Sequence, residues 1–121
     1  MHHVIVYREA GKYGGWPANH GLWSWNDETV VGFNAGYMDT SAPGMHPIDR
    51  SRPSTVMLAR STDGGETWQL RPSGHPPHPE GGPRDCPGGI VFTHPDFALN
   101  CLRNGVAAGS ESWFYVSYDR C

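Results

Sequence analysis

The chain has 121 residues, room for one domain at most. Nine Lys and Arg stand against twelve Asp and Glu, a formal charge of −3, and this excludes the basic footprint of a nucleic-acid or anionic-membrane binder. Sixteen glycines and eleven prolines predict many turns, while five Trp, five Tyr and four Phe argue against disorder; the expectation is an all-β chain with many loops.

In chain order, residues 3–7 (His-Val-Ile-Val-Tyr) are a short β-branched run and read as a first strand. Residues 9–20 follow as a Gly-rich loop ending in Trp16-Pro17-Ala18-Asn19-His20. Residues 22–25 read as a strand, Asn26-Asp27 as a turn, and residues 29–37 as the returning strand of a hairpin. The glycines of that returning strand predict a bulge or a close backbone approach. Trp23 and Trp25 share one strand face by period two and read as a packing pair. Residues 38–53 form a long polar loop with Pro43, Pro47 and Pro53. Residues 55–60 are a third strand, 61–67 a turn, and Trp68-Gln69-Leu70 the start of a fourth. Four short strands joined largely by turns make an antiparallel meander, the unit of a propeller blade. Residues 71–89 hold six of the prolines and predict an irregular connection. Strand patterns resume at 90–93, 97–102 and 113–118. Cys86, Cys101 and Cys121 lack any zinc spacing, and one disulfide or three free thiols fit equally. No apolar run is long enough for a transmembrane helix, and the opening residues predict no export signal, so the compartment stays open.

Residues 61–68, Ser61-Thr62-Asp63-Gly64-Gly65-Glu66-Thr67-Trp68, have the form S-x-D-x-G-x-T-W. Ser117-Tyr118-Asp119 restarts the pattern 56 positions later, after a similar apolar run. A spacing of this order signals a repeat fold. The Ser61 hydroxyl can hold the turn, and the Asp63 carboxylate can accept several backbone N–H groups. Gly64 and Gly65 supply positive φ, Thr67 returns the chain to the β region, and Trp68 buries a large apolar area. The expected role of the octet is structural.

The octet resembles the Asp-box, or BNR repeat, of the sialidase (neuraminidase) superfamily. Tyr7-Arg8, the run over residues 15–25, Val30-Val31-Gly32-Phe33 and His46-Pro47-Ile48-Asp49-Arg50-x-Arg52-Pro53 are similar to bacterial BNR-repeat sialidase-like proteins, so the likeness spans nearly the whole chain. It implies a sialidase-like β-propeller of antiparallel four-stranded blades. At about 40–50 residues per blade this chain supplies about two. A first blade is expected over about 3–71, the proline-rich connection over 71–89 and a partial second blade over 90–121. The ring is then incomplete and leaves strand edges open. The resemblance therefore implies an N-terminal fragment or a shortened reading frame, with the remaining blades in a longer chain.

Enzymes of that family release terminal sialic acid. An arginine triad grips the substrate carboxylate through bidentate bonds, a tyrosine assisted by glutamate is the nucleophile, and an aspartate is the acid/base. By resemblance Arg8 holds the place of the first arginine, although Glu9-Ala10 follow it instead of Ile-Pro. Gly36 stands where the second arginine belongs, and Arg50 or Arg52 is its expected substitute from the loop. Asp39 and Asp49 are both placed for the acid/base, Asp49 with the more distinctive surroundings. The nucleophile, its glutamate and the remaining arginine are expected from later blades, so this chain alone is expected to show no turnover. Trp16, Asn19, His20 and His46 are the expected sugar contacts. Plainer readings stay open beside these. Arg8 can pair with Glu9 or Asp27, Asp49 and Arg50 can form an exposed loop ion pair of little weight, and Asn19, His20 and His46 can serve as turn caps. His75 and His78 lack a third ligand, so no metal is expected, and no cofactor is implied. The competing function is a non-catalytic propeller that binds glycan or protein through Trp16, Asn19 and His20.

Overall fold

The computed structural model describes residues 2–41, 43–74, 88–103 and 107–121. Among the described residues the chain is all-β, with two antiparallel sheets and a single helical turn. β2 (Leu22–Trp25) and β3 (Glu28–Tyr37) form the expected hairpin across Asn26-Asp27. Asn26 takes φ 54 there, a left-handed conformation that Asn tolerates because its short side chain can bond locally. β4 (Thr55–Ser61) pairs with β3 from Thr29↔Ser61 to Ala35↔Thr55, and β5 (Gln69–Pro72) flanks β4.

On its other side β3 meets two strands laid end to end. β2 covers residues 28–31, and β1 (Lys12–Gly15) covers residues 34–37. The helical turn α1 (Pro17–His20) loops out between them. The edge is one strand position, interrupted to lift residues 16–21 off the sheet.

The first ladder strand thus lies at 12–15, inside the expected loop, and residues 3–7 form no strand. The reason is packing. Val6 and Tyr7 give their side chains, not their backbone, to the core of Val31, Phe33 and Ala59. The Tyr7 and Phe33 ring centroids are 4.9 Å apart. A Cβ on Gly14 would sit 2.7 Å from the Tyr7 ring, so β1 passes beneath that ring only as glycine. Residues 90–93 also form no strand: the Phe92 N–H donates to Ile90 O at 3.2 Å, and the Phe92 ring rests 5.3 Å from Phe97.

β3 is buried on both faces. Val31 and Phe33 face the core just described, with Met57 and Trp68 beside it. Val30, Gly32 and Leu58 face the second sheet, a hairpin of β6 (Ala98–Arg103) and β7 (Ser112–Ser117) paired from Ala98↔Ser117 to Arg103↔Ser112. Trp23 and Trp25 stand opposite Val30 and Glu28 in register, so they share that side. The Trp23 Nε1–H donates to Leu99 O at 3.0 Å, and its ring meets Phe97 edge-on at 5.2 Å. Trp25 lies under the Arg120 guanidinium, 5.6 Å from its ring centre.

The octet closes the β4–β5 turn. Ser61, 1% exposed, donates its O–H to Asp63 Oδ1 (2.7 Å) and accepts the Gly65 N–H (2.8 Å). Asp63 accepts the N–H groups of Glu66 (3.1 Å) and Thr67 (2.9 Å) and the Thr67 hydroxyl (2.5 Å). These donors, the Thr67 hydroxyl foremost, hold the Asp63 carboxyl down at about 2. The Trp68 Nε1–H donates to Gly65 O at 2.9 Å, which fixes the indole against the core. Ser61→Ala leaves the part-buried Gly65 N–H without its partner and is expected to lower unfolding free energy by about 1 kcal/mol; urea denaturation measures this, and an unchanged midpoint would contradict it.

Residues 117–121 repeat the corner atom for atom at its start. The Ser117 hydroxyl donates to Asp119 Oδ1 (2.5 Å), and Ser117 Oγ accepts the N–H of Asp119 (3.2 Å) and of Cys121 (2.9 Å). Arg120 (φ 65) and Cys121 (φ 72) occupy the left-handed conformations that Gly64 (φ 73) and Gly65 (φ 94) hold in the first corner. Side chains disfavour that region, but here the Arg120 side chain is engaged. Its Nη1 meets Glu28 Oε2 at 2.8 Å, and its Nε meets Asp96 Oδ1 at 2.5 Å. Glu28 also pairs with Arg60, whose Nη2 donates to the carbonyls of Arg120 and Cys121, both at 2.6 Å. This clasp joins the two sheets. Cys101 and Cys121 are free thiols, while Cys86, like His75 and His78, lies outside the described residues.

Candidate functional site

The interrupted edge and the loop over residues 38–54 shape a cleft of about 910 Å³ beside the far end of β6. Each wall follows from local sequence. Trp16 takes φ 57 and Pro17 opens α1, where its missing N–H costs nothing. The turn closes with the Asn19 N–H on Trp16 O (3.1 Å) and the Gly21 N–H on Pro17 O (3.0 Å). α1 lies directly on β3 because residue 32 is glycine: a Cβ there would stand 2.6 Å from His20 O. The close approach expected from the glycines of this strand is this one, together with Gly36, where a Cβ would meet Ile48 Cδ1 at 2.6 Å. The loop returns through the Met38–Ile48 bridge and the Asp49 N–H on Tyr37 O (2.8 Å). Asp49 Oδ1 then accepts the N–H (2.9 Å) and O–H (2.6 Å) of Ser51, an Asx-type turn that presents Arg50 and Arg52.

The cleft gathers Trp16, Asn19, His20, His46, Asp49, Arg50 and Arg52 from segments distant in sequence. Arg8 does not line it; this residue is exposed, and among the described residues no carboxylate lies within ion-pair distance. Asp39 is also exposed outside the cleft, its Oδ1 holding the Ser41 N–H at 2.9 Å, and this bond keeps its carboxyl below the ordinary range. Asp49 forms no ion pair with Arg50 among the described residues. Its partner is Ser51.

Three guanidinium groups border the cleft, Arg50, Arg52 and Arg103, against the one carboxylate of Asp49. Arg103, which sequence reasoning missed, ends β6. It follows the alternating buried Ala98, Asn100 and Leu102, a pattern that the sequence Ala-Leu-Asn-Cys-Leu-Arg does not display. Arg52 stacks over the Tyr37 ring at 3.1 Å, and the Lys12 ammonium lies 3.5 Å from the same ring centre. Lys12, then Arg52, push the Tyr37 phenol below its usual value. Trp16 and His46 form the aromatic wall of the cleft, edge-on at 5.0 Å, and Tyr13 stands against Trp16 at 5.4 Å outside the lining. His20 is 6% exposed, and burial lowers its pKa, so its ring is neutral at pH 7. Among the described residues no three His, Cys, Asp or Glu side chains converge as a metal site.

Such a cleft suits an anion with a flat apolar face. Guanidinium forks match a carboxylate, and aromatic rings suit the C–H face of a sugar. Comparison with family models, with curated proteins and with solved structures finds no match.

Proposed function

We propose that the cleft binds an acidic sugar, in an Asp-box sheet of sialidase-like propeller type. One observation carries the reading: Arg50, Arg52 and Arg103 border an aromatic-walled cleft that contains a single carboxylate. Its volume of about 910 Å³ falls within the usual range of small-molecule sites. In this reading the arginines hold the sugar carboxylate, Trp16 carries the ring, and Asn19 and His46 meet hydroxyls. The two successive corners at 61–68 and 117–121 support the blade assignment, because each follows a strand of an antiparallel sheet.

Hydrolysis of a sialoside is the second reading, and the position of Asp49 favours it. Oδ1 is held by Ser51, which leaves Oδ2 for proton transfer to a leaving oxygen. A nucleophile is also required, and among the described lining residues there is neither a tyrosine nor a second carboxylate. Recognition without turnover is therefore the function assigned to this chain.

Calorimetric titration tests it. N-acetylneuraminate or glucuronate should bind at least about tenfold more tightly than a neutral methyl glycoside. Arg52→Ala and Arg103→Ala should each weaken the acidic ligand by about tenfold or more, since a bond to a charged group contributes about 1.5–3 kcal/mol. A fluorogenic sialoside should not be cleaved. Equal affinity for neutral and acidic sugars would sink the carboxylate reading, and steady cleavage would replace recognition by hydrolysis.

A further inference from the structure

Between the two sheets lies a second space, a chamber of about 220 Å³, and His20 lines both it and the arginine cleft. Its walls include Trp23, Leu58, Leu99 and Val116, which are apolar. Several polar side chains interrupt them, His20 and Asn100 among them. His20 and Asn100 are each 6% exposed. Among the described residues, His20 Nδ1 and both Asn100 side-chain atoms, Oδ1 and Nδ2, have no hydrogen-bond partner. Three unpaired polar atoms in so buried a place are expensive, and a native fold keeps them only when something meets them. The Asn100 side chain lies close enough to His20 to counter part of the burial effect on the imidazole, yet no hydrogen bond closes between them.

We propose that this chamber is a binding site for an uncharged, hydroxyl-bearing group, held by Asn100 and His20. The chemistry follows from the atoms. Asn100 offers an acceptor at Oδ1 and a donor at Nδ2, and the neutral His20 ring offers one further position at Nδ1. A hydroxyl donates and accepts, so it answers both; a carboxylate only accepts. The charged groups on the chamber wall are already engaged. Arg71 donates to Cys121 O at 2.7 Å, and Asp119 accepts the Ser117 hydroxyl. The apolar walls suit the C–H edges of a short polyol. The volume equals about seven waters at about 30 Å³ each, small for a whole ligand site and fitting for a short polyol or one arm of a sugar. The group arrives either as a free polyol or as part of the molecule held in the arginine cleft, and the site itself does not depend on the arginine reading.

NMR titration of the full chain with erythritol and, separately, with glucuronate tests this. The side-chain amide of Asn100 and the imidazole of His20 should shift saturably with at least one probe. Erythritol alone identifies a free polyol, and glucuronate alone identifies an arm of the cleft ligand. Asn100→Leu should raise the apparent Kd of the active probe tenfold or more. The wild-type shifts decide the matter by themselves if that variant does not fold. Absence of any shift at Asn100 and His20 with both probes, a shift that survives Asn100→Leu, or long-lived water signals at Asn100 that neither probe disturbs would each overturn the proposal. If Arg103→Ala leaves glucuronate affinity unchanged while erythritol still shifts Asn100, the arginine reading has failed and the chamber stands.

Discussion

Glu28→Ala is expected to lower unfolding free energy by about 1–2 kcal/mol, between the cost of breaking an exposed ion pair and that of breaking a buried one. The Glu28 side chain is 19% exposed and sits between the guanidinium groups of Arg60 and Arg120. Without it two cations from different sheets face each other, and Asp96 alone remains to hold Arg120. The effect depends on pH with a definite sign. The bond from Arg120, chiefly, lowers the Glu28 pKa from its ordinary 4.5. A lowered carboxylate stabilises the fold above the unfolded value and loses that contribution as pH falls through the folded one. The wild type should therefore lose stability below about pH 4.5 more steeply than Glu28→Ala. Asp63 adds to the same acid limb down to about 2 in both proteins. Urea midpoints at pH 7 and pH 3 measure the difference. Parallel profiles would mean that the clasp bears no weight.

Gly32→Ala is expected to damage fold and site together. The added methyl would lie 2.6 Å from His20 O and 2.7 Å from His20 Cβ. Those atoms belong to the main chain and its first carbon, so no rotamer change relieves the contact and α1 must lift from β3. Overpacking of this kind costs about 2–3 kcal/mol. The lift also displaces Trp16, Asn19 and His20, which share one cleft wall. Thermal melts should show the loss of stability, and calorimetry should show acidic-sugar affinity falling by about tenfold or more. A variant that melts and binds like the wild type would show that the close approach is not needed.

The sequence made some elements plain for physical reasons. The β2–β3 hairpin was legible because two apolar runs flank Asn26-Asp27, and β4 with its corner was legible because the octet names each residue of the turn. β1 was hidden. Lys12-Tyr13-Gly14-Gly15 has weak strand propensity, and its glycines answer to the Tyr7 and Tyr13 rings, which no local pattern reveals. Residues 3–7 misled in the opposite sense, since β-branched residues serve a core as well as a ladder. At the site, Asp49-Arg50-x-Arg52 and Trp16 to His20 stood out as unusual loop chemistry, and the fold brings them to one cleft. Arg103 and Asn100 could not be found this way. Both belong to β6, and only the docking of the second sheet turns one toward the cleft and the other toward the chamber.

The second corner has a consequence for how the molecule comes apart. A lone two-stranded ribbon such as β6–β7 is marginal in water. Arg120 accepts an awkward backbone angle and in return fastens that ribbon across the gap to Glu28. The ribbon's persistence is thus borrowed from its neighbour, and heating should dissolve both in one cooperative step instead of peeling one away first.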